Sequence, residues 1–198
     1  KGVVSIGGVD VRNFSLSSLR SNIGLVSQDP FLFDTTIREN LLLASPSSSE
    51  EEIVSSLKVA NAWDFVEKLP NGLNTLIGEK GIRLSMGEKQ RLTLSRAILK
   101  SPPIVILDEA TSSVDVQTER QIQLSLEKLI KNRTTLIIAH RLSTIRNADQ
   151  IIFLSHGEIV EQGNHYELSE KEGYYANFCR HQESFLSENA ESMTYGQD

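Results

Sequence analysis

The sequence predicts an α/β fold: a parallel sheet core carrying helices, with a mainly helical insert. Two observations predict the core. Ile104–Leu107 and Thr135–Ala139 are unbroken apolar runs rich in β-branched residues. Such runs read as strands buried on both faces, as in a parallel sheet covered by helices. Between them Ile122, Leu126, Leu129 and Ile130 recur at helical spacing and mark one apolar face. Strand, helix, strand in that order is a βαβ unit. The insert is predicted by the change of texture before Pro102-Pro103, where caps and helical patterns dominate.

Taken in order, "GVVSIGGVDV" reads as two short strands about a Gly7-Gly8 turn. Ile23–Val26 is a third strand, and Pro30 opens the loop after it. Thr36–Leu43 reads as a short helix. "SPSSSEEEI" feeds another that runs to about Ala60, with Ser47, Ser48 or Ser49 as its cap and acids in its first turn. Trp63–Lys68 forms one more, and Pro70-Asn71-Gly72 ends the segment. A helix starts at Ser85. After the βαβ unit comes a hairpin around His156-Gly157, then short helices at about His165–Ser169 and Tyr174–His181. From Ser184 the tail is polar and expected to be disordered. The core is assigned to 1–29 and 102–182, the helical insert to 30–101, and the tail to 183–198.

Composition narrows the function classes. The 198 residues suit one domain; 39% are hydrophobic and 23% charged, as in ordinary globular chains. A net charge of −6 gives no reason to expect nucleic acid as a partner. Cys179 is the only cysteine, so a disulfide framework is excluded. No apolar stretch approaches the ~20 residues that span a bilayer. The chain opens on Lys1 already reading as strand and turn, and is expected to be part of something longer.

Polar groups collect at the predicted strand ends, where ligands gather in open parallel sheets. Asp108 and Glu109 follow one strand. There, one acid can hold Mg²⁺ through its water shell and the other can orient or deprotonate a water. His140 follows the next strand and can touch a terminal phosphate. Gln28 follows a third, and its amide can sense the metal and its water. Taken singly, a turn cap beside a solvated acid, a surface histidine and a loop glutamine are the better readings. Three such ends together make coincidence harder to sustain. "LSMGEKQR" offers a helix entrance with free N–H groups, the Ser85 hydroxyl and a close backbone approach at Gly87. It also reads as a plain capping box of Ser85 with Glu88. The two readings are compatible.

Gln28, "LSMGEKQR", "IVILDEA", "SSVD" and "IIAHR", in that order, resemble the nucleotide-binding domain of ATP-binding cassette (ABC) transporters, from about Val3 to Gln182. The ordered set is specific, although each piece alone is weak. The resemblance implies a P-loop NTPase-like (RecA-like) core lacking its N-terminal part. Gln28 looks like the Q-loop and Leu84–Arg91 like the signature motif. Asp108 and Glu109 look like the Walker B aspartate and the catalytic glutamate. Ser112–Asp115 looks like the D-loop, and His140 like the switch histidine. "GEKG" at 78–81 and "DPFLFDTTIRENL" are similar to the exporter branch. What this implies is ATP and Mg²⁺ as ligands, with Ser85, Gly87, Glu88 and Asp115 lining a site shared head to tail with a second nucleotide-binding domain. It further implies a transmembrane domain as partner, and a cassette on the cytosolic face of a membrane. By the family pattern Glu109 positions water, Asp108 holds the Mg²⁺ shell, and His140 steadies the leaving charge.

The sequence departs from the pattern twice. No G-x-x-x-x-G-K-[ST] phosphate loop is present, and no glycine is followed by lysine. Without the strand that leads into that loop, the Ile104–Leu107 strand is expected to lose a neighbour, and the isolated chain to be unstable or to associate. In the signature, Met86 and Glu88 stand where the family has Gly and Gln, adding bulk and negative charge. Two other readings stay open. One is a non-catalytic cassette that lends its signature face to a partner. The other is a soluble ABC-type ATPase, which the acidic balance and "GEKG" disfavour.

Overall fold

The computed structural model describes residues 2–78, 81–108, 116–139 and 142–182. Two compact units are present, 1–138 and 139–198, and each is taken by itself.

The first unit opens with a hairpin, β1 (Ser5–Ile6) and β2 (Val9–Asp10). Its turn places Gly7 at φ +56° and Gly8 at φ +80°, left-handed values that glycine adopts without strain. Helix α1 (Leu16–Asn22) follows, capped by Ser15, whose hydroxyl accepts from the Ser18 N–H at 3.1 Å. This helix was not expected, because it buries no residue and has no apolar stripe to read. Then come β3 (Ile23–Val26), α2 (Ile37–Leu42), α3 (Glu50–Val59), α4 (Trp63–Val66), α5 (Met86–Lys100), β4 (Ile104–Asp108), α6 (Val116–Ile130) and β5 (Thr134–Ile138).

Helices α2, α3 and α5 share one device. Thr36, Ser49 and Ser85 each accept from the N–H three residues on, while Glu39, Glu52 and Glu88 reach back to the cap's own N–H. These reciprocal caps fix where each helix starts. Helix α5 is the hub, packing on α2, α3, α6 and β3. Leu92, Leu94 and Ala97 from α5 join Ile37 and Leu41 of α2, Ile53 and Leu57 of α3, and Ile122, Leu126 and Leu129 of α6 in one buried cluster. Leu57 is fully buried, and its truncation to Ala would cost about 2–5 kcal/mol.

The sheet is parallel, in the order β3-β4-β5. Gly24 is required where β3 meets the next crossover, since a Cβ there would stand 2.6 Å from Pro102 Cγ. Two expectations are corrected. β4 keeps a neighbour on both sides, because β3 and β5 flank it; among the described residues β3 and β5 are the edges. Nor are the strands buried on both faces. Val26, Val105 and Leu107 point into the core, but on the opposite face Leu25, Leu136 and Ile138 remain 59%, 58% and 48% exposed. An apolar run states that a face wants covering, not what covers it.

The second unit contains α7 (Leu142–Ile145), the antiparallel pair β6 (Ile151–Ser155) and β7 (Glu158–Gly163), α8 (His165–Ser169) and a helix at 174–182, α9. The hairpin turns at His156 and Gly157, both left-handed, as expected. Ile151, Leu168 and Tyr175 form its core. The Glu161 carboxylate accepts from the Tyr174 and Tyr175 N–H groups at 2.7 and 2.8 Å, which secures the start of α9. The tail from Ser184 lies outside the described residues.

Candidate functional site

The carboxyl edge of the sheet carries the first group of residues. β3 and β4 run parallel with Val26 beside Leu107. Asp108 ends β4, half-buried, in register with Ile138 of β5. Gln28 lies just past the end of β3, exposed, in the neighbouring loop. Adjacent strands are ~4.8 Å apart, so the pairing brings Asp108 and the Gln28 loop to one edge. This follows from two short apolar strands that choose a parallel register with a long crossover, the arrangement that leaves polar strand ends together.

A carboxylate and an amide oxygen are the hard donors that magnesium accepts. Among the described residues no three of His, Cys, Asp and Glu gather as a metal cage. An ion of magnesium's kind keeps much of its water and needs few protein donors. Glu109, Asp115 and His140 lie outside the described residues.

The second group sits at the entrance of α5. Ser85 takes an extended conformation and accepts from the Glu88 N–H at 3.3 Å. Oε2 of Glu88 in turn accepts from both the Ser85 N–H and the Ser85 hydroxyl, each at 2.8 Å. Gly87 is buried, and Met86 is 41% exposed beside it. The capping box expected from the sequence is thus formed. A helix start is also an anion seat; the Glu88 carboxylate engages the Ser85 N–H and hydroxyl at its edge. Of the 78–81 motif only Gly78 and Gly81 are described; Gly78 is left-handed at φ +104°.

Two further residues were not foreseen. Arg96 of α5 donates from Nη2 to the Phe31 carbonyl at 2.9 Å, and burial lowers its pKa from the ordinary guanidinium value. Asn40 of α2, 1% exposed, clasps Phe33. The available signal was a single cation inside "LTLSRAIL", among mostly apolar neighbours. No helix among the described residues is long and apolar enough to cross a membrane.

Comparison with known proteins agrees with this geometry. The chain is 51% identical over 183 residues to an ATP-dependent lipid A-core flippase of Methylobacillus flagellatus, covering 92% of this chain and 31% of that protein. It is 50% identical over 181 residues to ABC transporter B family member 4 of Dictyostelium discoideum, covering 91% of this chain and 24% of that one. A solved structure of a bacterial Atm1-family ABC exporter with ATP bound superposes with a TM-score of 0.84 at 40% identity, over 92% of this chain and 32% of that one. The chain thus spans a third or less of the length of these relatives. The ABC transporter family profile matches residues 1–112. With the capped signature-like helix, the strand-end acid and the α/β P-loop NTPase fold in agreement, the chain belongs to the ABC transporter family.

Proposed function

We propose that this chain is the ATP-binding and ATP-hydrolysing cassette of an ABC exporter, residues 1–182, acting on the cytosolic face of a membrane. The observation that carries the reading is the parallel register that brings Asp108 and the Gln28 loop to one sheet edge, in a chain whose α5 starts with a complete Ser85–Glu88 capping box. The relatives support it, being an ATP-dependent flippase and an exporter solved with ATP.

In this reading ATP lies between two cassettes packed head to tail. Ser85 and Gly87 of one face the γ-phosphate held by the other, and Asp115 lies at the shared interface. Glu109 orients the attacking water, and His140 steadies the charge left on the departing phosphate. Asp108, with Gln28, would hold Mg²⁺ through its waters; when bound, the ion neutralises developing charge on the phosphates. Placement and charge stabilisation do most of the chemical work. The Gln28 loop and the helical insert at 30–101 carry the change to a transmembrane domain.

The test uses the full-length gene product in lipid. Glu109→Gln is expected to retain ATP binding while hydrolysis falls by a hundredfold or more, as for loss of a general base. Wild-type turnover in that variant would reject the role.

A further inference from the structure

The loop after β3 carries Gln28 near one end and two exposed rings, Phe31 and Phe33, near the other. It contains neither helix nor strand from Ser27 to Thr35, yet its backbone is held firmly. Arg96 Nη2 donates to the Phe31 carbonyl at 2.9 Å, across 65 residues of sequence. Asn40 accepts from the Phe33 N–H through Oδ1 at 2.9 Å and donates from Nδ2 to the Phe33 carbonyl at 3.0 Å. Thus α2 grips one end of the aromatic segment and α5 grips the other.

We propose that Arg96 is a positioning residue for ATP hydrolysis, fastening the Gln28 loop to the helix whose entrance holds Ser85 and Gly87, so that loop and helix move as one piece. The inference rests on the proposed function. Along α5, Ser85 and Arg96 are separated by ~16 Å of continuous helix at 1.5 Å per residue. A helix that is packed on three others and on β3 does not bend over that length, so displacement at its entrance reaches Arg96 undiminished. A guanidinium donor makes a charge-assisted bond, roughly twice as strong as a neutral one. Its partner is a main-chain carbonyl, so the tie acts on the path of the loop and not on one side chain.

The experiment compares wild type, Arg96→Met, Arg96→Gln and Arg96→Lys in the full-length gene product, with ATP as the probe. Met keeps the apolar stem and loses every donor, Gln is too short to reach, and Lys restores a single charged donor. The expected result is a roughly tenfold lower kcat in the Met and Gln variants, the loss that one charge-assisted bond supports. KM for ATP should stay within about twofold, and Lys should recover most of the rate. Amides of Leu92–Lys100 should hold their protection from hydrogen exchange in the Met variant, so the rate loss is not a loss of α5. An unchanged kcat, lost protection along Leu92–Lys100, a KM that moves with kcat, or a Lys variant no better than Met would each overturn the inference. A wild-type protein without ATP hydrolysis would instead sink the proposed function, and shows before any variant is made.

Discussion

Replacing Glu88 with glutamine separates two jobs done by one side chain. As a cap, Glu88 Oε2 accepts from the Ser85 N–H and hydroxyl at 2.8 Å each. An amide oxygen can take both bonds, so the cap survives Glu88→Gln. What goes is one negative charge in the first turn of α5, a favourable charge–dipole interaction of about 0.3–1 kcal/mol. For a chain of this size that lowers Tm by about 1–4 °C. The effect on a phosphate has the opposite sign. At roughly 6 Å, like unit charges repel by about 0.7 kcal/mol in water and about 2.8 kcal/mol at an effective dielectric of 20. The α5 entrance is partly exposed, so relief of about 1–2 kcal/mol is expected, or roughly five- to thirtyfold in kcat/KM for ATP. Steady-state ATPase and a thermal melt of the full-length gene product read both numbers. A melt that falls as expected with turnover unchanged or lower would show that no phosphate meets Glu88, and would refute the assignment of α5 as the phosphate-facing helix.

Asn40→Ala removes three hydrogen bonds from a residue 1% exposed, including one to the Thr36 carbonyl. At about 1 kcal/mol each, less about 0.5 for the better helix former, the cost is about 2–3 kcal/mol, read as a Tm loss of about 4–12 °C; a loss below about 1 kcal/mol would mean the loop is not anchored there. Tyr175 has its phenol pKa pushed up to about 12 by burial, then by its hydrogen bond with Cys179. Its folded pKa lies above the unfolded value near 10, so its share of stability is whole below pH 10 and is lost as pH rises through the folded value. Circular dichroism from pH 9 to 12 should show a steeper loss for wild type than for Tyr175→Phe, and parallel curves would remove the phenol from the account.

What could be read from the chain divides by the range of the interaction. Helix entrances were legible because a capping box is complete within four residues; Ser85 and Glu88 announced α5 without any tertiary contact. The His156-Gly157 hairpin was legible for the same reason. Helix α1 was not, because it buries no side chain and so leaves no apolar period. Strand order was not legible either. Nothing local to Ile104–Leu107 says that both its neighbours lie within the chain, and the register emerges only once Val26 finds Leu107. At the candidate site, Gln28 and Asp108 could be placed because strand ends in a parallel sheet share an edge. Arg96 could not, since its role depends on a carbonyl 65 residues away.

The uncovered side of the sheet gives the polypeptide the character of a surfactant. Leu25 and Leu136 flank Ile106 across three strands, with Ile138 beyond them. Water in contact with that oily row is under tension, and solutes that raise it, such as sulfate, make the dispersed state harder to maintain, whereas urea at low concentration relieves it. Added ammonium sulfate is therefore expected to promote association through this row of side chains, and low urea to oppose it.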